Sequence, residues 1–223
     1  MDTNELIDRL SVEVRPVRRL RPPIMRLALW LLVAIPYAVL MVLLFREHAE
    51  PGLAEITASP RYFVEQAAAL LTAATAAYAA FASLVPGSDR RVLWLPLLPL
   101  AAWLASIGQG CIEDWLRLGS AALAIRADTG CLVPMLLIGI VPALTMVAML
   151  REGAPLMPRL TVALGGLAVA GLVNFVLQLF HGGDLTIMIL VWHVGFLMVA
   201  TLAAGWIGPS LIGWSRLRVS AAR

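Results

Sequence analysis

Charge is scarce in this chain. Aspartate, glutamate and arginine supply 14% of its residues while 61% are hydrophobic, and a soluble domain carries about a quarter charged. With a mean hydropathy of +0.87, that balance excludes a water-soluble domain as the first reading. Lysine is missing, so all seventeen basic residues are arginine. Three histidines in the whole sequence leave little room for metal or quinone chemistry. The two cysteines, Cys111 and Cys131, fit no CxxC, zinc-finger or haem pattern. No HExxH, P-loop or nucleophile elbow occurs, so nothing supports an enzyme.

What is abundant is long apolar runs. A bilayer core needs about 20 apolar residues per helix, and six stretches qualify: roughly 27–45, 64–84, 92–111, 131–150, 160–180 and 185–207. The third is the weakest, being short and carrying Pro96 and Pro99. The expected fold is all-α: a polytopic membrane protein with six transmembrane helices over 25–212, an N-terminal arm over 1–24 and a tail over 213–223. The first run lasts 19 residues behind a long leader containing Asp2, Glu5, Asp8 and Glu13. A secretory signal has a shorter apolar core and a small-residue cleavage site, so this run is expected to remain as helix one.

Arginine placement gives the orientation. The N-terminal segment has six, Arg90 and Arg91 lie between runs two and three, Arg151 and Arg159 between four and five, and three follow run six. The other connections hold only Arg46, Arg61, Arg117 and Arg126. The positive-inside rule then predicts both termini in the cytoplasm. The pI near 9.4 follows from this asymmetry and points to the lipid bilayer, not to nucleic acid, because the arginines are dispersed and no stacking aromatics accompany them.

The arm is the polar exception. Asp2 or Thr3 can cap a short helix with Glu5 reaching back. Leu6, Ile7, Leu10 and Val14 then share one face. Pro16 disfavours further helix at Arg15, so Arg15 to Pro23 reads as a stiff tether. Three helical turns are marginal alone in water, so the apolar stripe needs a surface. Mixed charges on the other face argue against lipid and for a groove on a protein partner.

The order NELIDRL, PVRRLRPP, then a first span bearing an arginine and a tryptophan, resembles the NrsF-type family of bacterial membrane anti-sigma factors. The resemblance continues through SPRYFVE, VPG, REGAP followed by Pro158, and Trp192, His193 and Gly195 near the end. It implies a six-span protein that holds an extracytoplasmic-function (ECF) sigma factor at the membrane through the arm, with Leu6, Ile7, Leu10 and Val14 as the sigma-binding residues. It also matches Cys131 to a family cysteine at the start of helix four. Where the family has a second signalling cysteine this chain reads FHGGD, with His181.

The predicted topology puts Cys111, Cys131 and His181 at the outer face, as candidate signal-sensing residues. Either the cysteines of helices three and four, taken as sequential neighbours, form a redox-sensitive disulfide, or Cys131 and His181 bind a thiophilic metal. Transient heavy-metal binding is the only cofactor chemistry left open. Asn174, Gln178 and His181 form a polar stripe expected to bond across helices, and Gly165, Gly166 and Gly171 are expected to allow close packing. Residues 112–127 read as a helix lying in the interface. The remaining alternatives are a transporter, for which no internal repeat or acidic coupling residue is visible, and a membrane-embedded redox or cofactor protein.

Overall fold

Proline marks where the helices start. Its missing N–H costs nothing in a first turn, and three of the helices begin on one: α1 (Pro23–Phe45), α2 (Pro60–Ala82) and α5 (Pro158–Leu177). A fourth, α3 (Leu97–Leu118), follows Pro96 and carries Pro99 in its first turn. These two prolines therefore define the start of helix three rather than interrupt it. The remaining helices are α4 (Leu132–Leu150) and α6 (Gly195–Leu211). The structure, a computed structural model, describes Thr3, Glu5 and residues 20–45, 60–123, 132–179 and 189–211; among these there is no strand.

Four segments are long and apolar enough to cross a membrane: Pro23–Phe45, Arg90–Ala121, Leu132–Leu150 and Pro158–Leu177. Helix α2 also has 23 residues, but it is alanine-rich and buries Glu65 and Gln66. Helix α6 contributes the shorter apolar stretch Met198–Gly208.

Successive helices alternate in direction, and side chains fix the register. Trp30 donates its indole N–H to the Pro142 carbonyl at 3.1 Å, and Tyr37 donates to the Leu137 carbonyl at 2.5 Å. Residue numbers rising on α1 as they fall on α4 show the pair to be antiparallel. Helix α5 is the axis of the bundle. In it 72% of the most apolar window is buried, against 22% in each of the other three membrane-length segments. It packs against α2, α6 and α4. The three glycines work as expected, each toward a different neighbour: Gly165 meets Met146 and Leu150 of α4, Gly166 meets Ala204 of α6, and Gly171 lies against the backbone of Ala69 and Ala73 on α2.

Two expectations need correction. Residues 112–118 do not form a separate interfacial helix; α3 runs through them to Leu118, and Gly119 ends it at φ 60°. A 3-10 turn, Gly119–Leu123, follows, and 124–127 lie outside the described residues. The expected start of the sixth run near 185 lies outside the described residues; from Ile189 a π-helical turn runs to Val194, includes Trp192 and His193, and precedes α6. Finally, α3 and α4 are not extended neighbours. Helix α3 packs on α2, whereas α4 packs on α1 and α5.

Candidate functional site

Two polar clusters close the ends of the apolar bundle, each built around an arginine. At one end stands Arg26, in the first turn of α1 yet only 1% exposed. Its guanidinium lies 4.9 Å from the centre of the Phe81 ring at the end of α2. Its Nη2 donates to the Met149 carbonyl on the last turn of α4 and stands 3.6 Å from the Glu152 carboxylate, which is 64% exposed. One side chain thus ties the root of α1 to the ends of α2 and α4. Nε and Nη1 have no hydrogen-bond partner among the described residues. Close by in sequence, the Ser83 and Thr161 hydroxyls pair at 2.7 Å, joining the end of α2 to the start of α5, and Asp89 accepts from the Arg91 N–H at 2.9 Å.

At the other end Arg61 of α2 reaches over α3. It holds Glu65 at 2.8 Å and Glu113 at 3.4 Å. Ser106 also donates to Glu65, at 3.2 Å, and Gln109 donates to Glu113 at 2.9 Å. Glu65 is buried, so it depends on these partners. The approach is possible because residue 110 is glycine: a Cβ there would meet the Arg61 guanidinium at 1.7 Å. Cys111, the next residue, is half-buried against the core. The sequence offered no pairing signal for this cluster beyond the presence of Arg61 and Glu65 within SPRYFVE, nor for Arg26 beyond an arginine inside an apolar run.

The polar stripe of α5 behaves differently from expectation. Asn174 donates to the Ala170 carbonyl of its own helix at 3.0 Å, the local alternative open to short polar side chains. The bond across helices comes instead from Tyr62 of α2, whose hydroxyl donates to the Gln178 main-chain carbonyl at 3.3 Å. Of the predicted sigma-binding residues, Leu6, Ile7, Leu10 and Val14 lie outside the described residues; Thr3 and Glu5 beside them are helical and exposed. Of the predicted sensing residues, Cys111 is placed, whereas Cys131 and His181 lie outside the described residues. Among the described residues no three His, Cys, Asp or Glu side chains gather as a metal-binding group.

Antiparallel helices of membrane-crossing length, with two arginine-centred charged clusters at the ends of the bundle, define a helical protein compatible with a membrane. Its family is more specific. The chain belongs to the NrsF family, whose model, described as negative regulator of sigma F, matches residues 10–214. Neither a curated protein nor a solved structure matches it.

Proposed function

We infer that the protein is an anti-sigma factor that holds an ECF sigma factor at the bacterial inner membrane and releases it on a metal or oxidative signal from outside. The observation that carries this reading is the family match, which begins at residue 10, within the arm, and runs through the bundle. The six apolar runs cross the membrane, both termini face the cytoplasm, and the arginine-rich end containing Arg26 is the cytoplasmic one. The apolar face formed by Leu6, Ile7, Leu10 and Val14 occupies a groove on the sigma factor. Leu20, at the root of the tether, packs against the bundle core, which supports a mechanical link between arm and helices. The outer end, with Cys111, Cys131 and His181, receives the signal.

The test is capture of the cognate sigma factor by the full-length protein and by its Leu10→Asp variant. A carboxylate buried in an apolar groove without a partner costs several kcal/mol, so the variant is expected to lose capture while reaching the membrane normally. Full capture by Leu10→Asp would show that the stripe is not the contact surface.

A further inference from the structure

A cavity of about 610 Å³ opens between α1 and α4 at the Arg26 end, walled by Arg21, Arg26, Leu29, Leu32, Val33, Ala148 and the Glu152 carboxylate among others. Its chemistry changes with depth. Arg21 and Arg26 stand at the arm root, and the wall then continues down α1 through Leu32 and Val33, which are 68% and 43% exposed. We propose that this cavity binds an anionic phospholipid of the cytoplasmic leaflet, with its phosphate between Arg21 and Arg26 and an acyl chain along Leu29, Leu32 and Val33.

Three observations converge on that ligand. First, Arg26 is a buried cation with two donor nitrogens, Nε and Nη1, that lack partners among the described residues. A buried donor left unmade is costly, and a charge-assisted bond from one of these nitrogens to a phosphate oxygen would satisfy it. Both nitrogens are covered, so the headgroup reaches one of them only when the cavity wall moves aside. Second, the only carboxylate within 4 Å of Arg26 among the described residues is Glu152, itself 64% exposed; solvent screens it, and it leaves most of the charge uncompensated. Third, the positive end of the α1 dipole faces the same place. A soluble phosphate would satisfy the arginines but not the exposed aliphatic wall beneath them, which fits an acyl chain. This proposal rests on the bundle being embedded in a membrane, not on sigma-factor binding.

The test uses the full-length protein in detergent, with lipid retention read by native mass spectrometry and melting read in parallel. The probes are dioleoylphosphatidylglycerol, dioleoylphosphatidylcholine and inorganic phosphate. Attraction of about 1 kcal/mol per arginine predicts roughly a tenfold or greater preference for phosphatidylglycerol over phosphatidylcholine. Arg26→Met keeps an apolar stem against Phe81, and the Met149 carbonyl retains the Glu152 N–H at 3.4 Å, so this variant should fold and lose most of the preference. Ala148→Trp fills the cavity from an exposed position and should also lose it, and Arg21→Gln, exposed, should reduce it several-fold. Equal retention of the two lipids by the unaltered protein overturns the proposal. So does full preference in a variant that melts normally, or displacement of phosphatidylglycerol by millimolar phosphate, which would assign the site to a soluble anion. Failure of the protein to extract with membranes at all would instead overturn the membrane reading.

Discussion

Arg61 and Arg26 are both drawn into the bundle, but they are held by different chemistry. Arg26 rests on a ring and a carbonyl, whereas Arg61 compensates a buried carboxylate, Glu65, whose side chain is 9% exposed. Removing Arg61 leaves Glu65 with the Ser106 hydroxyl as donor at 3.2 Å, and an inadequately paired buried group costs about 1–3 kcal/mol, more when charged. Arg61→Ala is therefore expected to lower the melting temperature in detergent clearly. Gly110→Ala acts on the same side chain more gently. Its Cβ would displace the flexible guanidinium end, losing Glu113 while Glu65 remains within reach four residues along the same helix. It should melt between the unaltered protein and Arg61→Ala. Melting below Arg61→Ala would show that something other than the guanidinium occupies that space.

Among the helices, α5 sets the tolerance of the bundle. A Cβ at Gly171 would stand 3.2 Å from both the Ala69 carbonyl oxygen and the Ala73 nitrogen, and backbone atoms cannot turn aside as side chains do. Gly171→Val is thus expected to destabilise by about 1–3 kcal/mol through overpacking. Gly108→Ala on α3, with nothing within 4 Å of its added carbon, should be neutral or stabilising by up to about 1 kcal/mol, the ordinary gain from replacing helical glycine. Equal melting of the two variants would mean that the α2–α5 seam is looser than its geometry. The glycine positions were legible because small residues on an apolar run have few other uses, and the helix limits because proline and apolar length both act locally. Partner choice was not local. Arg26 meets a carbonyl 123 residues away and Arg61 a carboxylate 52 away, distances over which no periodicity carries information. The interfacial helix expected over 112–127 failed for a related reason: charges near Glu113 read as a surface segment, but they are the pairing groups of a helix that continues to Gly119. The arm stripe and two of the three sensing residues remain sequence readings, since they lie outside the described residues.

Over the whole bundle, the proposed signal enters at the end opposite the arm, so the packing between them decides which sensor chemistry can act. Moving a sigma factor from mostly held to mostly released takes about 5.5 kcal/mol of differential binding, which one metal or disulfide event at the outer end could supply. A Cys111–Cys131 disulfide needs the α-carbons within about 7 Å. Cys111 lies on α3 and Cys131 immediately precedes α4, yet α3 and α4 are not extended neighbours. In sequence Cys131 precedes α4 and His181 follows α5, two helices that pack together, while both residues lie outside the described ones. Of the two schemes we propose the metal one, with Cys131 and His181 as ligands and α5 carrying the change through its contact with α2 toward Arg26 and the arm. Induction of the sigma regulon by cadmium or chromate distinguishes the schemes. Cys131→Ser and His181→Ala are expected to abolish induction, while Cys111→Ser keeps at least half of it. Equal loss in both cysteine variants with a normal response in His181→Ala would establish the disulfide instead. A full response in Cys131→Ser would remove both schemes and leave the thiols as packing residues, with the signal entering elsewhere on the outer face.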